Sequence, residues 1–163
     1  MEFEIKLTDK DMYRFNMYQM YSGFHGWLSV ILAVFVFVVG GVTCGEVETS
    51  RTVLYVVCGI LFLIYPPLSL WLAAKRALAA SAVLQGTLHY LVDEKGFTVS
   101  QSGESAKLPW ESIYKMVATK SNVLVYSNRR NAYVIPRAQL GEQYGDLAKL
   151  ANDKLAKYRV KMK

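Results

Sequence analysis

The chain has 163 residues, 53% of them hydrophobic, with a mean hydropathy of +0.18 and a formal net charge of +6. Two cysteines are too few for a disulfide framework. The basic residues are not interleaved with an aromatic stacking platform, so the positive balance is not the footprint of a nucleic-acid binder, and no nucleic-acid partner is expected.

Glu2 to Leu7 alternates polar and apolar residues, which predicts a short strand. Thr8 then suits a helix N-cap, with Asp9 and Asp11 in the first turn, where carboxylates complement the helix dipole. The helix that follows carries Met12, Tyr13, Phe15, Met17, Tyr18, Met20, Tyr21 and Phe24. An interfacial membrane helix and an ordinary packing face both fit that composition. His25 lies at the end of this segment without a second ligand at helical spacing, so a metal site is not expected there.

Two apolar runs dominate the next stretch: Trp27 to Cys44 and Val53 to Ala74, both free of charge and separated only by Gly45 to Thr52. A membrane-crossing helix needs about 20 mostly apolar residues, and both runs meet that length. As core helices of a soluble protein they would need a large covering body, and the remaining chain is too short and too polar to supply one. The first run follows a mixed-charge segment without a small-residue cleavage pattern, so both helices are expected to be retained rather than removed as a signal. A transmembrane hairpin over residues 27–85 is predicted, with spans at about 27–44 and 53–74.

The intervening loop holds Glu46, Glu48 and Arg51 and has no positive excess. From Lys75 onward there are 15 lysines and arginines against 7 aspartates and glutamates. The positive-inside rule then predicts a multi-pass plasma-membrane protein with both termini cytoplasmic. Trp27 and Trp71 fall near the inner ends of the spans, as interfacial aromatics do. Pro66 and Pro67 predict a kink or break near Tyr65. No ionisable residue lies inside either run, which argues against a proton relay or a charged transport path. Cys44 and Cys58 would sit at different depths, about 9 Å apart along the axis, and are read as apolar packing residues.

Lys75 to Gln85 continues the second helix, and Gly86 marks its end. The period then changes to two. Strands are predicted at Thr87 to Asp93, Phe97 to Gln101, Ala106 to Leu108, Ile113 to Thr119, Asn122 to Tyr126 and Ala132 to Ile135. After Pro136 the apolar positions Leu140, Tyr144, Leu147, Leu150, Ala151, Leu155 and Tyr158 recur at spacings of three and four, a helical face. The expected fold is an α+β membrane protein. It comprises an N-terminal strand and interfacial helix (1–26), the hairpin, and a cytoplasmic bent antiparallel sheet or partial barrel (86–163), anchored by Trp110 and capped by the C-terminal helix.

Leu108-Pro109-Trp110-Glu111-Ser112-Ile113, then Tyr133-Val134-Ile135-Pro136-Arg137, then a C-terminal helix, resemble the YcxB-like family of small bacterial membrane proteins. The opening Phe3-Glu4-Ile5-Lys6-Leu7-Thr8 fits the same pattern. The resemblance implies a two-helix hairpin followed by a domain similar to a pleckstrin-homology (PH) fold. It carries no catalytic residues and no cofactor. The usual lipid site of PH domains is a basic first hairpin. Here that turn is Asp93-Glu94-Lys95, two acids against one base.

The basic residues that remain as a candidate lipid or partner site are Arg129 and Arg130, with Arg137 and Lys120 as neighbours, because guanidinium groups hold phosphate bidentately. A solvated hairpin loop explains the same residues without a ligand. Lys154, Lys157, Arg159, Lys161 and Lys163 form a second basic set, suited either to anionic lipid or to a frayed helix end. No P-loop, dinucleotide fingerprint, HExxH or paired zinc-ligand pattern is present, and neither histidine is placed beside a nucleophile. The expectation is a non-enzymatic, membrane-anchored binding module recruiting a protein partner or anionic lipid. Alternatives are an immunity protein against a membrane-active peptide, an accessory subunit of a transporter, and a homo-oligomeric assembly.

Overall fold

The computed structural model describes residues 1–101 and 103–162, apart from the side chain of His25. The side chain of His25, Ser102 between two expected strands, and Lys163 of the terminal basic set therefore lie outside the described residues. The chain divides into two compact units: Met1–Phe15 with Ala74–Lys163, and Asn16–Ala73.

The first unit begins with β1 (Glu2–Lys6), whose alternation buries Phe3 and Ile5. Thr8 caps α1 (Asp9–Tyr21) through a reciprocal pair of bonds. Its Oγ1 accepts from the Asp11 amide at 3.3 Å, and Asp11 Oδ2 accepts from the Thr8 amide at 3.2 Å. That is a capping box with aspartate in the third position.

The chain returns to this unit at the end of α3 (Thr49–Ala80), followed by the short α4 (Ala82–Gln85). The expected continuous helix to Gln85 is interrupted at Ser81, which is extended and whose hydroxyl accepts from the Leu84 amide at 3.3 Å. Then come β2 (Thr87–Val92), β3 (Gly96–Gln101), β4 (Glu104–Pro109), β5 (Lys115–Ala118), β6 (Asn122–Tyr126) and β7 (Ala132–Pro136). The chain ends with α5 (Arg137–Leu140), α6 (Gln143–Lys154) and β8 (Val160–Lys161).

Two four-stranded sheets result, in the orders β1-β2-β3-β4 and β7-β6-β5-β8. All pairings are antiparallel except β5 with β8. The six strands expected from the period-two pattern are present, and β1 joins them by pairing with β2 from Glu2↔Leu91 to Lys6↔Thr87. The division at residue 86 therefore differs from the observed grouping: β1 and the start of α1 belong with the sheets, since Phe3 and Ile5 have no other core to enter. Phe3 stacks on Tyr90 with centroids 5.4 Å apart. Trp110 is buried, edge-on to Phe97 at 5.2 Å, and its indole N–H donates to the Asp93 carbonyl at 3.0 Å.

Both faces of β6 are buried. Val123 and Val125 lie on one face, and Asn122, Leu124 and Tyr126 on the other. Along α1, the Asp11 carbonyl accepts from Asn122 Nδ2 at 3.2 Å, and Phe15 lies against Tyr126 at 6.4 Å. Leu140, Leu147, Ala151 and Leu155 seal the core from the C-terminal side. Tyr158 does not extend that face. Leu155 turns extended, so the helix stops at Lys154, and Tyr158 is 76% exposed in a short 3-10 turn.

The second unit contains the last turns of α1, α2 (Phe24–Val42) and most of α3. α2 and α3 pack antiparallel: Gly40 faces Tyr55, and the Phe37 ring lies over Gly59. A Cβ on Gly59 would come within 2.6 Å of that ring, so a side chain there would have to displace it. α3 is long and apolar enough to cross a membrane, with only 11% of its most apolar window buried. Asp9–Tyr21 and Gly26–Val42, bent by 71° to each other, together make a second candidate span. α3 runs unbroken through Pro66 and Pro67, because the loss of two amide donors leaves the rest of a 32-residue ladder intact. Cys44 and Cys58 are both free.

Candidate functional site

A groove of about 610 Å³ opens into the first unit between α4, β3, β4 and the start of β7. Its walls are mainly apolar, with Val83, Leu84, Leu88, Val99 and Ala106 beside the Tyr133 ring. α4 is held over β3 by Gln101, whose amide donates to the Val83 carbonyl at 2.9 Å. Gly86 leaves room for this contact, since a Cβ there would push against the Gln101 side chain. Ala106 lies opposite Val99 on the sheet, yet Val99 is buried and Ala106 exposed. The core is thus uncovered at the β4 edge.

Among the described residues, the ionisable side chains lining the groove are Glu104 and Tyr133, with hydroxyls from Ser100 and Ser105. Such a set can hold an apolar ligand or chain segment. Beneath the groove, Tyr90 is buried; burial first, and the neighbouring Tyr133 second, push its hydroxyl well above the ordinary tyrosine range. Among the described residues no three histidine, cysteine, aspartate or glutamate side chains gather as a metal site.

The four basic residues singled out from the sequence do not come together. Lys120 lies in the β5–β6 turn and Arg137 follows β7, whereas Arg129 and Arg130 occupy the β6–β7 turn at the far end of both strands. Five-residue strands separate the two pairs by about 17 Å. Arg137 is tied into the fold: its Nη1 donates to the Thr119 carbonyl at 3.2 Å, and its guanidinium lies 4.0 Å from the Tyr144 ring. Arg129 and Arg130 sit on a turn shaped by Asn128, whose side-chain oxygen accepts from the amides of Arg130 and Asn131, both at 2.8 Å. Among the described terminal basic residues, Lys161 lies in β8 and pairs with Val117, so that stretch is not a frayed helix end.

A smaller depression of about 270 Å³ adjoins the Asp93–Gly96 turn and β4, with Lys95 and Lys107 beside Asp93. Asp93 Oδ1 accepts from the amides of Lys95 and Gly96, and Gly96 adopts φ +149 against the Leu108 carbonyl, where no side chain fits. This turn joins β2 to β3. The first strand pair, β1 with β2, is instead closed across residues 7–86.

Residues 92–151 match the YcxB-like protein family. This stretch is YcxB-like. Comparison with curated proteins and with solved structures found no match. The YcxB-like stretch runs from the last residue of β2 into α6 and includes both strands that bear Ala106 and Tyr133. It takes in the Leu108–Ile113 and Tyr133–Arg137 motifs, which serve as core, turn and helix-start residues.

Proposed function

We propose that this chain is a non-enzymatic binding module anchored in the plasma membrane, whose PH-like domain recruits a protein partner through the groove beside α4. The observation that carries it is a preformed, largely apolar groove whose ionisable lining, among the described residues, is one carboxylate and one phenol. Its place in the chain supports the same reading, because the groove wall α4 begins one residue after the apolar α3. On this reading α2 and α3 are the two spans and both termini are cytoplasmic, which the excess of lysine and arginine from Lys75 onward supports. A protein partner is favoured over anionic lipid because Lys120 and Arg137 lie at the opposite end of the strands from Arg129 and Arg130.

Carbonate washing and outside-in proteolysis of sealed cells test the anchor. The intact chain should stay with the membranes, and residues beyond Gly86 should be spared. Release by carbonate, or cleavage beyond Gly86, would sink the reading. Crosslinking in native membranes, followed by purification in mild detergent, should yield a partner whose recovery drops when Val83 or Ala106 is replaced by aspartate. Recovery unchanged by both substitutions would remove the groove from the proposal.

A further inference from the structure

The two outer edges of the first sheet are treated differently. At β1, Met1 N donates to Val92 O at 3.0 Å and Val92 N to Met1 O at 2.8 Å. Antiparallel alternation then turns the backbone groups of residues 2, 4 and 6 outward. At both ends of that edge they are capped by side chains, at Lys6 and at the Glu2 carbonyl. Gln139 accepts from Lys6 N and donates to Lys6 O, both at 2.9 Å, and Gln143 donates to Glu2 O at 3.4 Å. At the other edge, Trp110 N donates to Lys95 O at 3.3 Å, in register with the β3–β4 ladder. The same alternation turns residues 104, 106 and 108 towards β3 and leaves the amides and carbonyls of Ser105 and Lys107 facing outward. Among the described residues nothing bonds them.

We propose that the Glu104–Lys107 edge of β4 receives an extended segment of a partner protein as an added strand, a proposal that rests on the recruitment reading above. Unpaired backbone groups at strand spacing call for an extended peptide rather than an acyl chain, which has no amide to offer. Alternate side chains of the added strand cover Ala106 and enter the groove, so they are apolar. Glu104 forms no ion pair among the described residues, and its carboxylate selects a basic residue on the incoming segment at that level. Pro109 ends the pairing surface, since it has no amide.

The test uses the full chain in detergent micelles and random dodecapeptides selected from a display library. In the presence of a selected peptide, amide exchange at Ser105 and Lys107 should slow by about tenfold or more, while residues 104, 106 and 108, already bonded to β3, change little. Ser105→Pro removes an outward donor without breaking a ladder bond and should weaken the peptide by about tenfold or more. Ser105→Ala, with the same near-ultraviolet circular dichroism, should retain it. Peptides that bind while exchange at Ser105 and Lys107 stays unchanged overturn the added strand and leave recruitment standing. Failure to select any peptide overturns the added strand, and recruitment falls with it if crosslinking also yields no partner.

Discussion

Tyr90 is the residue where burial and chemistry meet most directly. Its raised pKa means that folded and unfolded chains both hold the proton below the ordinary value of 10.0, where its contribution to stability is constant. Above that value the unfolded chain loses the proton first, so stability falls with pH, by up to about 1.4 kcal/mol per unit. Tyr90→Phe should therefore flatten the alkaline loss of stability above about pH 10, measured by urea unfolding across that range. An equally steep loss in the variant would show that the hydroxyl titrates freely. Thr8 offers a second check. Thr8→Ala removes the cap of α1 and should cost about 1 kcal/mol, read as a lower unfolding midpoint. The cap was legible in the sequence because Thr8 precedes two carboxylates, Asp9 and Asp11, in the first turn, whereas the return bond to Asp11 was not. The role of Arg137 was not: its contacts with Thr119 and Tyr144 depend on how β7 and α6 come together.

Among the elements, edge protection of β1 depends on Gln139 and Gln143, two exposed polar residues on helices far away in sequence. Gln139→Ala should free Lys6 from both hydrogen bonds, speed amide exchange at Lys6, and cost about 1–2 kcal/mol. Unchanged exchange there would mean that the clamp is dispensable. The helix pair is tested at Gly59. Gly59→Leu places a side chain where the Phe37 ring lies and should separate α2 from α3 at a cost of about 1–3 kcal/mol. A cysteine pair engineered across the Gly40–Tyr55 contact would then crosslink poorly. The strands and α6 were legible because alternation and three–four spacing follow from which side chains must be buried. β8 escaped notice because two residues carry no period, and only pairing with β5 makes them a strand.

On the scale of the whole molecule, the N-terminal strand and the sheets form one unit, although about 80 residues of chain lie between β1 and β2. Residues 86–163 alone lack Phe3 and Ile5, each worth about 1.5–3 kcal/mol when buried, and expose β2 as a raw edge. That fragment should aggregate or unfold. Residues 1–15 joined by a flexible glycine-serine linker to 74–163 should fold with cooperative thermal unfolding. Cooperative folding of 86–163 by itself would show that β1 is an accessory.

The sequence alone determined the apolar runs, the helix-to-strand change near Gly86, most strand positions and the YcxB-like character of the C-terminal half, because periodicity and hydropathy are local properties. Only the tertiary structure decided that β1 completes the sheet, that the four basic residues split into two pairs, and that β4 presents an open edge beside an uncovered Ala106. Each of these depends on which strands become neighbours. Backbone hydrogen bonding sets that through contacts between residues far apart in the chain.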